Sequence, residues 1–264
     1  MRYFLRLAYN GSNYHGWQRQ PNSQSVQQTI EDSLSIILGK KIEITGAGRT
    51  DAGVHAKEMY AHFDYEEIIE GKRFLRSINS LIGKDIAIFD LIEVPDDAHA
   101  RFDAVSRTYK YFISSGKNPF LEKLVMDSGR LYDIELMNKA AEKLLRIEDF
   151  TSFAKLHSDT KTNICRVKEA GWEIIDSSTL SSTSKFSKDL SPGFFNGIVF
   201  TITADRFLRN MVRAIVGTLL EVGAGKLSVN GFDEVIQRKD RCAAGTSVSP
   251  FGLYLWKINY PYIK

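Results

Sequence analysis

The run Gly46-Ala47-Gly48-Arg49-Thr50-Asp51-Ala52-Gly53-Val54-His55-Ala56 places a guanidinium, a carboxylate and an imidazole inside one glycine-framed stretch. Two nucleotide-binding motifs come close to it and fail at the positions that do the physics. A dinucleotide fingerprint needs glycine where Asp51 stands and a helix to follow, but the next residues alternate like a strand. A phosphate loop needs lysine after Gly53, and the chain has Val54. What remains is a tight loop presenting Arg49, Asp51 and His55. In a locally extended chain, residues two apart point to one side, so Arg49 and Asp51 face the same space. A cation that close favours the ionised carboxylate, which suits a nucleophile or a base better than a general acid. An Arg–Asp pair that merely ties down a turn fits the same residues equally well. His55 fits an acid/base role or, more in keeping with loop histidines, a hydrogen-bonded structural one.

Basic and aromatic residues interleave further on, in Arg101-Phe102-Asp103 and in Ser106-Arg107-Thr108-Tyr109-Lys110-Tyr111. On a strand, Arg107, Tyr109 and Tyr111 share one face, which could stack a base and touch phosphate. Half-buried strand tyrosines beside ordinary surface cations are the competing reading. A third cluster lies in Phe207-Leu208-Arg209-Asn210-Met211-Val212-Arg213. Read as a helix, it buries Phe207, Met211 and Ile215 and sets Arg206 and Arg213 on roughly one face. Arg213 either snorkels into solvent or reaches inward, where it needs an anion such as Asp51. The five histidines form no ligand spacing with Cys165 or Cys242, so a metal site is not expected. Asp96-Asp97 after Pro95 reads as a solvated turn.

The elements that must carry these residues follow from periodicity. Arg2 to Tyr9 alternates as a strand. Val26 to Leu38 has helical spacing, with Ser25 and Gln28 as a capping box and Gly39 as its stop. Ile42 to Thr45 reads as a short strand, Lys57 to Asp64 as a strand, Phe74 to Ile82 as a helix stopped at Gly83, and Ile86 to Val94 as a strand. The order is β-α-β-β-α-β, the ferredoxin-like unit. The second half shows the same order: strand Thr108–Ser114, helix Leu136–Leu145, strands Val167–Ile175 and Ile198–Thr203, helices Phe207–Val222 and Gly231–Arg238, strand Leu253–Tyr260. The expectation is an α+β fold of two similar halves, residues 1–105 and 106–264, with a mixed, mainly antiparallel sheet flanked by helices. Ser177 to Gly193, rich in Ser and Thr, reads as a long loop between two strands.

Composition bounds the function classes. The chain has 264 residues, 35 Lys plus Arg against 32 Asp plus Glu, and a net charge of +3. That excludes binding to nucleic acid by bulk charge and leaves a local basic cleft open. Two distant cysteines exclude a disulfide scaffold and suit a reducing cytoplasm. The N-terminus carries charges and meets Asn10-Gly11 at once, so it does not read as a signal peptide. The most apolar stretch, residues 214–225, is short and contains Glu221, so no membrane span is expected.

Taken together, the motif blocks resemble the tRNA pseudouridine synthase A family. The blocks are Tyr9-Asn10-Gly11 with Tyr14-His15-Gly16-Trp17-Gln18-Arg19-Gln20, the Gly46–His55 run, His99-Ala100-Arg101-Phe102, Arg107-Thr108-Tyr109-Lys110-Tyr111, Asp149-Phe150-Thr151-Ser152-Phe153, Phe207 to Arg213, and Gly252-Leu253-Tyr254-Leu255 with Tyr260-Pro261. They run in family order across almost the whole chain. The resemblance implies the pseudouridine synthase fold and isomerisation of uridine to pseudouridine at positions 38 to 40 of the tRNA anticodon stem-loop. It also implies a homodimer that uses no cofactor. Carried over, Asp51 is the catalytic carboxylate, Arg49 helps hold the flipped nucleotide, Tyr109 stacks on uracil, and Arg213 pairs with the catalytic Asp. Ala98, His99, Ala100, Arg101 and Phe102 resemble the tRNA-contacting segment, as do His157, Ser158, Asp159, Thr160 and Lys161. In the last of these the family often has arginine where Lys161 stands, which weakens a bidentate phosphate contact. Whether Asp51 adds to C6, attacks C1′ or takes a proton from C2′ stays open, as does the base for C5, Tyr109 or a water. A structured-RNA binder without chemistry and a synthase with another RNA target are the alternatives.

Overall fold

The computed structural model describes residues 1–155, 162–175 and 195–263. In chain order the elements are β1 (Arg2–Tyr9), α1 (Val26–Leu38), β2 (Thr45–Gly46), β3 (His55–Asp64), α2 (Gly71–Leu81), β4 (Ile86–Val94), β5 (Ser106–Ser114), β6 (Met126–Asp127), α3 (Ile134–Ala141), β7 (Val167–Ile175), β8 (Gly197–Ala204), α4 (Met211–Gly223), α5 (Val229–Arg238) and β9 (Leu253–Asn259). This is the expected α+β fold with mainly antiparallel strands. The chain divides into two units, Met1–Thr108 with the stretch from Tyr254 onward, and Tyr109–Leu253.

In the first unit the strand order is β4-β1-β3-β9, with β2 on β3. β1 pairs antiparallel with both β3 and β4, and β9 joins β3 in parallel through His55↔Tyr254 and Ala56↔Leu255. α1 begins where the capping residue places it: the Ser25 hydroxyl accepts from the Gln28 amide at 3.2 Å, and Gly39 ends the helix at φ 69°. Leu5, Leu7, Ile30, Leu34, Met59 and Ile78 are all fully buried. Each contributes about 1.5–3 kcal/mol by leaving water.

The strand expected over Ile42–Thr45 is reduced to Thr45–Gly46. Side chains of α1 take the place of a neighbouring strand. The Ile42 amide donates to the Ser35 hydroxyl, the Ile44 amide to the buried Glu31 carboxylate at 3.1 Å, and Gln27 Nε2 to the Ile44 carbonyl at 3.0 Å. With its backbone so satisfied, the segment needs no ladder.

In the second unit the order is β5-β8-β7, with β6 parallel to β5. β7 and β8 are antiparallel. The helix expected over Leu136–Leu145 is α-helical only to Ala141 and tightens to a 3-10 turn over Glu142–Arg146. α4 is buried on nearly every side, from Met211 to Val222. It starts four residues later than the apolar spacing predicts, because Asn210 lies in the left-handed region at φ 67° and breaks the helical path. Phe207, Arg206 and Arg209 therefore precede the helix and do not share a helical face with Arg213. Residues 177–193, expected as a loop, fall outside the described residues.

Candidate functional site

The loop bearing Asp51 joins β2 to β3, and backbone from the N-terminal block seats it. A Cβ on Gly11 would lie 2.0 Å from the Val54 carbonyl oxygen, and one on Gly16 would lie 2.4 Å from that of Thr50. Gly16 also sits at φ 87°. Gly46 is covered by the Trp17 ring, which a Cβ would meet at 2.5 Å. Only glycine permits such approaches. Hydrogen bonds complete the seat: the Trp17 amide donates to the Thr50 carbonyl at 3.2 Å, the Gly53 amide to the Tyr14 carbonyl at 3.3 Å, and the Tyr9 and Thr50 hydroxyls share a bond of 2.8 Å. The Val54 amide closes a turn onto the Asp51 carbonyl at 3.2 Å, with Gly53 at φ 78°.

Within this loop Asp51 is half-buried, whereas Arg49 is exposed and makes no ion pair among the described residues. His55 is buried. Its Nδ1 accepts from the Gly11 amide at 3.1 Å, and its ring stacks on Tyr254 at 4.5 Å. It therefore occupies the structural role open to it in the sequence. Burial pushes the Tyr254 phenol up to about 12.

A second feature of the first unit is the turn over residues 98–104. Ala98 and Ala100 are buried, while Arg101 and Phe102 are exposed. Phe102 is 74% exposed, with the Arg101 guanidinium 5.7 Å from its ring centre. The His99 amide donates to Asp103 at 2.7 Å, and His99 Nδ1 accepts from the Arg101 amide at 3.1 Å. The His99 amide and the Tyr262 hydroxyl hold the Asp103 carboxyl below its ordinary range. Arg2 donates to the Ala98 carbonyl at 2.9 Å, the Tyr260 hydroxyl to that of Ala100, and the Ala100 amide to His62 Nδ1 at 3.2 Å. Burial, reinforced by Arg2 and His99, pushes His62 down to about 4, so it is a neutral acceptor. The turn thus presents a cation and an aromatic face on a backbone whose own polar groups are satisfied.

In the second unit, Tyr109 is half-buried and meets the edge of Phe207 at 5.0 Å. Arg213 lies near the start of α4 and donates from Nε to the Val248 carbonyl at 2.8 Å. Tyr111 is fully buried and donates to the Ser249 carbonyl at 2.8 Å, so its phenol is pushed up by burial and is unavailable for stacking. Residues 244–249 lie along α4. A Cβ on Gly217 would meet the Thr246 carbonyl oxygen at 1.9 Å. Asn210 Nδ2 and an Arg241 guanidinium nitrogen each donate to the Ser247 hydroxyl at 2.7 Å.

Asp51, Arg49 and residues 98–102 belong to the first unit, and Tyr109 and Arg213 to the second. His157, Ser158, Asp159, Thr160 and Lys161 lie outside the described residues. Sequence reasoning did not pick out the roles of Gly11, Gly16, Asn210, Ser247 and Arg241. The glycines carried a signal, each set beside Asn10 or Trp17 in a polar-aromatic run, whereas Ser247 and Arg241 carried none. Among the described residues no group of three or more His, Cys, Asp or Glu could hold a metal ion, and no helix is long and apolar enough to cross a membrane.

A family profile described as tRNA pseudouridine synthase matches residues 7–103 and 140–261. The chain is 51% identical over 261 residues to tRNA pseudouridine synthase A of Parabacteroides distasonis, covering 98% of this chain and 96% of that one. It is 50% identical to the protein of that name from Bacteroides thetaiotaomicron, covering 98% and 91%. With the one from Caldicellulosiruptor bescii it shares 36% identity, covering 97% and 98%.

Proposed function

The chain belongs to the tRNA pseudouridine synthase family, and on that premise we propose that it isomerises uridine to pseudouridine in the anticodon stem-loop of tRNA, at positions 38 to 40. The observation that carries the reading is the Asp51 loop: a half-buried carboxylate on backbone seated by Gly11, Gly16 and Gly46. Such a seat is expected of a catalytic group whose position must be preorganised.

The reaction breaks the C1′–N1 bond, turns the uracil and forms C1′–C5. A stacked base hides these atoms, so the nucleotide has to leave the stack. Asp51 is the catalytic carboxylate, Tyr109 the ring against which uracil stacks, and Arg213 the cation that pairs with the catalytic Asp. Arg49, exposed and unpaired among the described residues, is available to the flipped nucleotide. The 98–102 turn, and with it residues 157–161, takes the RNA backbone. The enzyme works as a cytoplasmic homodimer without cofactor or metal.

The test is tritium release from C5-labelled uridine in tRNA, with the modified sites mapped and the mass of the native protein measured. Release confined to positions 38–40 is expected. Binding without release would leave an RNA-binding protein, and release elsewhere would move the target.

A further inference from the structure

We propose that Arg107 is a positioning residue that locks the Asp51 loop to the 98–104 turn, so that RNA held on the turn is registered against the loop. The inference rests on the functional reading above. Arg107 is the second residue of β5, next to a buried Ser106 whose hydroxyl accepts from Asn259 at 2.8 Å. Its guanidinium reaches two separate segments. One nitrogen donates to the Ala47 carbonyl at 3.0 Å and to the Arg101 carbonyl at 2.7 Å, and the other to the Ala104 carbonyl at 3.4 Å.

Each acceptor belongs to a part of the proposed site. Ala47 is buried, its amide donates to the Tyr60 carbonyl at 2.8 Å, and it stands at the entry to the loop four residues before Asp51. Arg101 and Ala104 belong to the turn that His62, Asp103 and Tyr260 fix from the other side. Three of the five N–H directions of a guanidinium are enough to tie these segments in one plane, and the group stays charged at any working pH. Lysine has the charge but not the planar fork. Sequence spacing puts Arg107 on a face with Tyr109 as a phosphate contact. The structure shows three guanidinium bonds to main-chain carbonyls.

The two roles differ in what they predict. A phosphate contact sets the salt slope through its charge, so Arg107→Lys would keep the slope of tRNA binding and Arg107→Ala would lower it by about one unit. A positioning clamp needs the fork. Both variants should then lose about 10- to 100-fold in single-turnover tritium release at saturating tRNA, as expected for charge-assisted hydrogen bonds lost from a preorganised site. The salt slope should stay at the wild-type value, and millimolar guanidinium at constant ionic strength should restore part of the rate to Arg107→Ala.

The experiment measures single-turnover release and binding at several salt concentrations for the wild type, Arg107→Lys and Arg107→Ala, with folding checked by circular dichroism. If Arg107→Ala does not fold, Arg107→Lys carries the test alone. Arg107→Lys within twofold of the wild-type rate overturns the clamp, as does a reduced salt slope with unchanged chemistry. A wild-type protein that releases no tritium overturns the functional reading itself, a result distinct from an active wild type with an active lysine variant.

Discussion

In the first unit the loop that carries Asp51 is held by backbone lying against backbone, at Gly11 and Gly16, with Trp17 closed over Gly46. In the second unit, the stretch facing Arg213 comes as close only at Gly217, has a backbone bond from the Val248 amide to the Arg213 carbonyl at 3.2 Å, and leans further on side chains: Asn210 and Arg241 on Ser247, and Arg213 itself on the Val248 carbonyl. The difference follows from the two functional groups. An aspartate has a short side chain, so the place of its carboxylate is decided almost wholly by its backbone. An arginine has a long, rotamer-rich chain, so a fixed backbone does not fix its head. It needs an anchor close to the guanidinium, and the Nε bond to the Val248 carbonyl supplies one. Steric seats tolerate no substitution, whereas polar clamps weaken by degrees.

That contrast can be broken experimentally. The largest effect is expected from Asp51→Ala, which should reduce tritium release by at least about 10⁴-fold while tRNA affinity stays within a fewfold, because only the reacting group is gone. Equal loss of binding and turnover would make the loop a structural element. Next comes Gly16→Ala. Its Cβ would stand 2.4 Å from the Thr50 carbonyl oxygen at a positive φ, so the loop must move. A displacement of about 1 Å is worth roughly 100-fold in rate, and a fall of about 2–4 kcal/mol in urea-unfolding stability should accompany it. Ser247→Ala, which removes the acceptor shared by Asn210 and Arg241, should cost only about 1–2 kcal/mol and less than tenfold in rate. If the serine variant damages turnover as severely as the glycine variant, the distinction between seat and clamp is wrong.

How far these features could be read beforehand depended on the range of the interactions behind them. β1, α1 and β7 have the bounds that alternation, capping and helical spacing predict, since those signals are local. Ile42–Ile44 looked like a strand because its pattern could not show that Gln27, Glu31 and Ser35 of a neighbouring helix would satisfy its backbone. The apolar spacing from Phe207 onward could not show that Asn210 takes a left-handed turn. At the site, the dense Gly46–His55 run marked the loop at once. Its seat was hidden because Gly11 and Gly16 meet it only after the chain has returned through α1. The carbonyl partners of Arg107 were hidden for the same reason: face-sharing along one strand says nothing of carbonyls brought in from residues 47 and 101.

The last expected effect, read in stability and not in rate, concerns the 98–104 turn, which is clamped rather than seated. His62 accepts the Ala100 amide as a neutral ring, with its pKa lowered from 6.5 to about 4 by burial and by Arg2 and His99. Above pH 6.5 both the folded and unfolded chains hold this histidine neutral, and its contribution is complete. Between 6.5 and 4 the unfolded chain takes up the proton first, so stability falls as pH falls, by up to about 1.4 kcal/mol per pH unit. Below 4 both states are protonated and this dependence ends. Urea unfolding at pH 7.5 and pH 5.0 should therefore differ by about 2 kcal/mol through this group. His62→Asn, whose side-chain oxygen can accept the same amide, should be less stable than the wild type at pH 7.5 yet show a flatter pH dependence. An unchanged dependence in the variant would mean that another group titrates in this range and that the turn is not held by a neutral His62.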